Sequence, residues 1–345
     1  MSRHINIPVF IPHLGCPNNC VFCNQRSISG VQEFDPERLV DIIEDSLSTT
    51  EPDDEIEIAF FGGSFTGIDY QLMISLLEIA YSYIKIGKVK SIRCSTRPDY
   101  IDKDILTTLK KYGVKVIELG LQSSSEKVLR ASKRGHSLAD EERACKMIVD
   151  AGFTLVGQMM IGLPDADEES ELKTADFIIS VGASAARIYP TVVFHDTELC
   201  AMAESGDYMP LSLDEAVRRS ASVYNKFIDA GVKVIRIGLC SSENLASGKT
   251  YHAGPNHPAI GELVENELFY NKIYNGASRL ALCSSSILRV SVSNGHLSKA
   301  IGQKKRNKLL LIKNLGISDV KFVENSELSG YEILVMAEEG EKKCI

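Results

Sequence analysis

The sequence predicts an α/β fold, a partial or complete (β/α) barrel followed by a small C-terminal α+β domain. Three observations lead to this prediction. Short runs rich in Val, Ile and Phe alternate with amphipathic stretches of roughly 10 to 18 residues, and six or seven such βα units fit into about 240 residues. After about residue 245 the pattern changes, because a segment rich in Ser, Gly, Pro and Asn precedes a second unit. A doubly wound sheet is the alternative architecture.

The barrel elements are predicted from apolar periodicity and from helix end signals. The predicted strands lie at 5–11, 56–61, 90–95, 114–119, 154–161, 185–190 and 232–237. The predicted helices lie at 36–48, 69–85, 101–111, 138–151, 168–181 and 212–230. Asp35 and Ser212 are residue types that begin helices, whereas Gly113, Gly152 and Gly231 stand where helices end and strands follow.

We divide the chain into a barrel over residues 1–245 and a C-terminal α+β domain over residues 246–345. The second unit contains a predicted helix at 259–274 and a strand at 286–293. A basic helix at 297–314 and a strand pair within 318–336 complete it.

The composition excludes several classes of protein. A chain of 345 residues with 44% hydrophobic and 24% charged residues is neither disordered nor fibrous. No apolar run approaches the roughly 18 to 20 residues of a membrane-spanning helix, and residues 1–16 lack the regions of a signal peptide, so we expect a cytoplasmic protein without a membrane partner. The net charge of −8 argues against a protein that coats nucleic acid everywhere, although it permits one local basic patch.

Three thiols are concentrated in the loop after the first strand. The segment HLGCPNNCVFCNQ contains Cys16, Cys20 and Cys23, and the next cysteine is Cys94. Thiolates bind zinc and iron–sulfur centres, and a closed structural site has four protein ligands, so three ligands leave one position open. The alternatives are a zinc site completed by His13 or by a distant residue, and free thiols without metal.

The CxxxCxxC spacing in this position resembles that of the radical S-adenosylmethionine (SAM) superfamily. The resemblance implies that Cys16, Cys20 and Cys23 hold three irons of a 4Fe-4S cluster, while S-adenosylmethionine chelates the fourth iron. It also implies reductive cleavage of S-adenosylmethionine to a 5′-deoxyadenosyl radical that abstracts hydrogen from a substrate. A one-electron donor such as a flavodoxin or ferredoxin is then a partner.

The loop after the second strand, AFFGGSFTGID, supplies candidate cofactor contacts. Gly62 and Gly63 would let the backbone approach a ligand closely, and Ser64 adds a hydroxyl. In the superfamily, a similar GG motif receives the methionine amino group. A tight βα turn is the alternative interpretation.

Two further candidate contacts resemble those of the oxygen-independent coproporphyrinogen oxidases, a branch of the superfamily. Gln122 matches the glutamine of a GxQ turn, and Arg134, twelve residues later, matches the arginine that would bind the cofactor carboxylate. Gln158 stands where that branch has an aspartate, and Ser95 stands where relatives with TRPDY usually have a glutamate. A solvated helix end is the alternative for Arg134.

Longer stretches resemble the radical half of the elongator catalytic subunit, a tRNA wobble-uridine enzyme. They are STRPDYI at 95–101, ELGLQS at 118–123 and RIYPTVVFHDTELCAMAESGDYMPLSLDEAV at 187–217. The resemblance covers roughly residues 5–240, and we do not expect the acetyl-CoA chemistry because no acetyltransferase domain follows. Tyr189, in the longest stretch, would position substrate or relay a radical, and a core or rim tyrosine is the alternative.

A basic segment lies in the second unit. Residues 294–316 contain no acidic residue, and the candidate RNA-binding residues within them are Lys299, Lys304, Lys305, Arg306 and Lys308. The segment is similar to the IGxxG region of the KH domains of a bacterial transcription elongation factor, with Lys305 in place of the second glycine. The alternative is a solvated basic helix that packs on a small appendage.

The favoured interpretation is a radical SAM enzyme with RNA, above all tRNA, as substrate. A radical SAM enzyme that acts on a porphyrin-like small molecule is the second hypothesis, and a non-enzymatic RNA-binding protein with zinc at the three cysteines is the third. His252 and His257 would face the active site in either enzyme, although loop histidines are more often simply exposed.

Overall fold

The computed structural model describes residues 3–338 apart from 17–19, 30, 32 and 240–249. The predicted boundary between residues 245 and 246 lies outside the described residues. The division into two domains therefore stays a prediction.

The strands agree with the sequence prediction to within three residues at each end of the barrel elements. They are β1 (His4–Ile11), β2 (Glu55–Gly62), β3 (Ser91–Thr96), β4 (Val114–Gln122), β5 (Thr154–Ile161), β6 (Ala185–Pro190), β7 (Val193–Phe194), β8 (Lys233–Ile237), β9 (Tyr251–Ala253), β10 (Ile287–Val292), β11 (Asp319–Glu324) and β12 (Ile333–Glu338). The short strands β7 and β9 were not predicted, because two or three residues carry no periodicity.

The helices follow the same alternation. They are α1 (Gln25–Ser29), α2 (Leu39–Leu47), α3 (Tyr70–Lys85), α4 (Lys103–Lys111), α5 (Glu126–Ala131), α6 (Leu138–Asp150), α7 (Glu168–Ser180), α8 (Glu198–Ser205), α9 (Leu213–Asp229), α10 (Ile260–Ala277), α11 (Leu297–Ile301) and α12 (Arg306–Leu315). The side chains of Asp35 and Ser212 accept the predicted capping hydrogen bonds, from the amides of Glu37 and Glu215.

Seven parallel strands form a half-barrel in the order β1-β2-β3-β4-β5-β6-β8. The barrel is partial: in the described part of the chain, β1 and β8 pair with one neighbour each and not with each other. Alternation along β4 shows how its two faces differ. Ile117, Leu119 and Leu121 pack into the main hydrophobic core, so Glu118 and Gln122 face the concave side.

Helix α10 joins two hydrophobic cores. Its first half places Ile260, Val264 and Leu268 in the core of the half-barrel. Its second half places Phe269 and Ile273 in a smaller core formed with the C-terminal sheet. That sheet has the order β11-β10-β12, so the two final strands flank β10 and do not pair with each other.

The predicted basic helix at 297–314 is wrong as a single element. The chain forms α11 and α12 instead, separated at residues 302–305, where Gly302, Lys304 and Lys305 all have positive φ angles. The side chain of Asn307 lies in the break and donates hydrogen bonds to the carbonyl oxygens of Asn266 at 2.7 Å and Ala300 at 3.2 Å. The bond to Ala300 satisfies a carbonyl group that a continuous helix would have paired internally, and the bond to Asn266 ties the break to α10.

The helices in the described ranges do not include one that is both long and apolar enough to cross a bilayer.

Candidate functional site

The cysteine loop is tied to the ends of neighbouring elements by backbone hydrogen bonds. The amides of Gly63 and Ser64 donate to the carbonyl oxygens of Ile11 at 2.7 Å and Leu14 at 2.9 Å. On the other side of the loop, the amide of Val21 donates to the carbonyl oxygen of Ser132 at 3.2 Å, just after α5. The loop therefore lies at the carboxyl edge of the half-barrel, where catalytic residues of βα folds are found.

The glycines after β2 pack directly against this loop. A Cβ atom on Gly63 would lie 1.9 Å from the carbonyl oxygen of Leu14, and one on Gly15 would lie 2.2 Å from that of Ser64. The sequence interpretation was that Gly62 and Gly63 let backbone approach a ligand. The structure gives these glycines a second reason, because two backbone segments could not come this close if either had side chains.

We expect Gly63→Ala to destabilise the fold by on the order of 1–3 kcal/mol and to lower the iron content, since the new methyl group displaces the cysteine loop. Urea denaturation and iron analysis of the reconstituted protein measure both effects. Gly261→Ala is the matched control, because a Cβ there would meet nothing closer than 3.6 Å and alanine favours the helix. Equal behaviour of the two variants would contradict the packing argument.

Ser64 is fully buried, and its hydroxyl is engaged with protein groups. It lies 2.9 Å from the hydroxyl of Thr96 and accepts a hydrogen bond from the amide of Arg97 at 3.2 Å. Ser64 therefore joins the end of β2 to the end of β3, and a direct cofactor contact by this residue stays a prediction.

Two buried guanidinium groups lie beside Cys20, the buried cysteine of the triad. Arg134 and Arg97 place Nη1 atoms 3.3 Å and 3.9 Å from Cys20 Sγ. Arg97 also donates to the carbonyl oxygen of Arg134 at 2.5 Å and is paired with Asp99. Sequence analysis did not single out Arg97, although it follows β3 directly within the TRPDY stretch. The two cations favour negative charge on the sulfur ligands.

The thiols of Cys16 and Cys23 are held in surroundings that favour their neutral form in the absence of metal. Burial raises the pKa of Cys16, against the opposing effect of Arg97. Burial, together with the neighbouring thiols, raises the pKa of Cys23 to about 12. A bound metal would reverse this balance, because metal ligation displaces the thiol protons.

Gln122 and Arg134, the two candidate contacts named by resemblance, lie near each other at the end of β4. Arg134 Nη2 donates to the carbonyl oxygen of Gly120 at 2.5 Å, and Gln122 Nε2 lies 3.0 Å from the position a Cβ on Gly120 would take. Within the described residues, Gln122 Oε1 is buried without a hydrogen-bond partner. Three thiols, two guanidinium groups and an amide oxygen fit a metal cluster whose organic ligand carries an ammonium and a carboxylate.

The concave face below this point carries an ionic network that sequence analysis missed. Glu118, fully buried, lies 3.0 Å from Arg93 Nη1 and 2.7 Å from Arg187 Nε. Arg93 also pairs with Glu57 at 2.6 Å. The sequence does carry a signal for this network. Several apolar strands each contain a charged residue, at a position that the alternation of side chains along the strand assigns to the inner face.

Gln158 and Tyr189 lie on this inner face. Gln158 Nε2 donates to Glu118 Oε2 at 2.9 Å, which gives it a structural contact, and a ribose contact stays a prediction. Burial raises the pKa of Tyr189 despite the neighbouring Arg187 guanidinium, so its hydroxyl keeps its proton at neutral pH.

The candidate RNA-binding residues are distributed around the break between α11 and α12. Three of them form ion pairs with carboxylates from distant parts of the sequence: Lys299 with Glu265 at 2.7 Å, Arg306 with Asp214 at 3.4 Å and Lys308 with Asp319 at 2.8 Å. Lys304 and Lys305 are exposed and form no ion pair with any described residue.

The three histidines considered as ligands or active-site residues, His13, His252 and His257, contact groups other than the triad thiols. His13 Nε2 accepts a hydrogen bond from the amide of Gln25 at 3.0 Å, so that nitrogen is occupied in the cysteine loop. His257 Nδ1 accepts from the amide of Ala259 at 3.1 Å, just before α10. His252 lies on β9, beside His195.

Two family models match the chain. The model of the radical SAM superfamily matches residues 10–178, and that of the radical SAM C-terminal domain matches residues 183–270. Together they cover the half-barrel from the end of β1 onward, apart from residues 179–182, and more than half of α10.

Individual relatives match about half of the chain. The chain is 30% identical to the tRNA uridine(34) acetyltransferase of Methanocaldococcus jannaschii, over 48% of this chain and 34% of that protein. It is 27% identical to elongator complex protein 3 of Saccharomyces cerevisiae, over 48% of this chain and 33% of that protein. The chain therefore spans about a third of the length of these curated relatives.

A solved structure shares the fold. Elp3 of Methanocaldococcus infernus aligns with a TM-score of 0.59 and 22% identity, covering 79% of this chain and 68% of that chain.

Proposed function

The chain belongs to the radical SAM superfamily and is an enzyme, and from this premise we propose that it binds one 4Fe-4S cluster at Cys16, Cys20 and Cys23 and uses S-adenosylmethionine to modify RNA, above all tRNA. The observation that carries the proposal is the convergence of the thiol loop, Arg134 and Gln122 at one edge of the half-barrel. When bound, the cluster and S-adenosylmethionine supply reductive cleavage of the sulfonium and hydrogen abstraction by a 5′-deoxyadenosyl radical.

The donor set favours a cluster over a single zinc ion at the triad. Three thiols are one ligand fewer than the four of a closed structural zinc site, whereas a cluster whose fourth iron takes an organic ligand needs three. The Nε2 atom of His13, the fourth ligand named in the zinc alternative, already accepts a hydrogen bond from the amide of Gln25.

The residues of the site have separate tasks in this proposal. Arg134 binds the carboxylate of S-adenosylmethionine, and the unpartnered Oε1 of Gln122 accepts from its ammonium group. Gly62, Gly63 and Ser64 hold the cysteine loop in place. Gln158 contacts the ribose from the inner face.

In this proposal, the ionic network on the concave face, formed by Glu57, Arg93, Glu118 and Arg187, faces the substrate. Glu118 and Arg187 form a fixed pair of opposite charges on the concave side. Tyr189, which keeps its proton, offers a hydroxyl donor next to them. A one-electron donor of the flavodoxin or ferredoxin class and a reducing compartment such as the cytoplasm complete the requirements.

Two observations support RNA as the substrate. Two relatives that each match 48% of the chain are named for tRNA uridine(34) acetylation and for elongator, although the chain spans only about a third of their length. In the C-terminal unit, Lys304 and Lys305 lie in a left-handed turn between two helices, and neither forms an ion pair with a described residue. Exposed lysines on such a turn suit contact with a phosphate backbone.

The proposal is tested by anaerobic reconstitution with iron and sulfide, followed by dithionite, S-adenosylmethionine and chromatography for 5′-deoxyadenosine. We expect deoxyadenosine to form and to increase when unmodified tRNA is added. If tRNA does not stimulate the formation of deoxyadenosine, a small-molecule substrate is favoured. A protein that forms no cluster would refute the proposal that the triad binds one.

We expect Lys304→Glu/Lys305→Glu to weaken tRNA binding by about tenfold or more and to reduce the slope of log affinity against log salt by about two. Fluorescence anisotropy of labelled tRNA over a salt series measures both. Lys146→Glu/Lys173→Glu is the matched control, because it makes the same charge change on the outer helices α6 and α7. Equal losses in both variants would show that only net charge matters.

A further inference from the structure

A second group of metal-binding side chains lies beside the cysteine loop. One ligand atom each from His195, Cys200 and His252 lie within 4.8 Å of one another, the one such group of three or more His, Cys, Asp or Glu residues within the described ranges. Cys200 is buried, whereas both histidines are exposed. The rings of His195 and His252 meet edge to face, with centroids 5.8 Å apart.

A carboxylate lies next to two members of the group, Cys200 and His252. Glu204 lies one helical turn after Cys200 on α8, so both side chains project from the same face of the helix. Its Oε1 atom is 3.7 Å from Cys200 Sγ and 4.0 Å from His252 Nδ1. The donors are therefore one thiol, two imidazoles and one carboxylate.

The backbone holds these donors on three connected elements. Strands β7 and β9 pair in antiparallel fashion, and the amide of His195 donates to the carbonyl oxygen of Thr250 at 3.2 Å, which places the two histidines side by side. Asp196 then turns the chain with a φ of +60°. The side chain of Thr197 accepts from the amide of Cys200 and begins α8. None of these contacts involves the Cys16, Cys20 and Cys23 thiols.

We propose that His195, Cys200, His252 and Glu204 bind one divalent ion of the zinc class. Sulfur, nitrogen and carboxylate oxygen are the ligands that zinc prefers, and four protein donors make a closed, tetrahedral structural site. Binding converts the Cys200 thiol to a thiolate and releases its proton to solvent. When the ion binds, the four side chains bond directly to it instead of contacting one another.

The location gives this ion a structural task. The amide of Leu199 donates to the carbonyl oxygen of Val21 at 2.8 Å, and Asn24 Nδ2 donates to that of His195 at 3.1 Å. The residues between these two contacts include Cys23, and Cys20 directly precedes Val21. An ion that fixes the β7–β9 ribbon to α8 therefore also steadies the loop that holds the triad.

The test is a metal count on the full chain, purified anaerobically, reconstituted and passed over a weak chelating resin. We expect about one zinc per chain in addition to cluster iron. Cys200→Ser should lose the zinc and keep most of the iron, whereas Cys20→Ala should lose the iron and keep the zinc. Cys283→Ser, which changes an exposed thiol, should keep both.

A second measurement covers the case in which Cys200→Ser does not fold. His252→Asn and Glu204→Gln change exposed side chains and should lower zinc retention while circular dichroism stays unchanged. Cobalt loaded into the Cys20→Ala chain should show a thiolate charge-transfer band that is absent when Cys200→Ser is added. A folded chain that retains no zinc, or zinc that is lost with Cys20 and kept without Cys200, would overturn the proposal. Because iron and zinc are counted separately, failure of this site and failure of the cluster site are distinguishable.

Discussion

Replacement of Cys20 by alanine should abolish 5′-deoxyadenosine formation and reduce bound iron and sulfide to background. Cys20 is the thiol on which the two buried guanidinium groups of Arg134 and Arg97 converge, at 3.3 Å and 3.9 Å. An alanine removes the soft ligand that both guanidinium groups face. Iron and sulfide analysis together with chromatography of the reaction products measure the effect.

The control for this variant is Cys283→Ala. The Cys283 thiol is exposed, and hydrogen bonds from Ser285 and Ser286 lower its pKa to about 7, so it is the more reactive thiol in solution. We expect this variant to keep the wild-type iron content and activity. Deoxyadenosine at the wild-type level from Cys20→Ala would contradict the assignment of the cluster to the triad.

Glu118→Ala should lower the free energy of unfolding by about 3–5 kcal/mol. Glu118 is the fully buried carboxylate between Arg93 and Arg187, and it also accepts a hydrogen bond from Gln158. Its removal leaves the buried Arg187 guanidinium without this carboxylate and leaves Arg93 paired with Glu57. The cost of an uncompensated buried charge exceeds the stability that the ion pair itself contributes. Urea denaturation followed by circular dichroism gives the difference.

Glu44→Gln provides the comparison for an exposed ion pair. Glu44 and Lys88 lie 3.4 Å apart with about half of each side chain in solvent, so the loss of this pair should cost less than about 0.5 kcal/mol. A Glu118→Ala variant as stable as Glu44→Gln would show that water reaches the inner network.

The elements of the half-barrel could be predicted because their signals are local. Apolar runs of strand length and amphipathic stretches of helix length define β1 to β6, β8 and the helices α2, α3, α4, α6, α7 and α9, whereas the short helices α1, α5 and α8 were not predicted. Caps such as Ser212 mark helix ends. The thiol triad is equally local, since three ligands fall within eight residues. The resemblance to the radical SAM superfamily is confirmed by the family matches.

The missed features arise where residues from different strands meet. Arg93, Glu118 and Arg187 form a network only because the register of β3, β4 and β6 aligns them on one face, and no sequence window contains all three. The same limit applies to the basic segment. Its lysines have no acidic neighbours in sequence, yet Lys299 and Lys308 meet carboxylates through the fold.

Helix α10 has a consequence for how the molecule unfolds. Because its two halves belong to different cores, neither core can lose the helix without exposing apolar surface in the other. The two units should therefore melt in one cooperative transition, with a single calorimetric peak. A truncation at residue 245 would strip Ile260, Val264 and Leu268 from the half-barrel. The smallest autonomous catalytic fragment should accordingly extend through the end of α10.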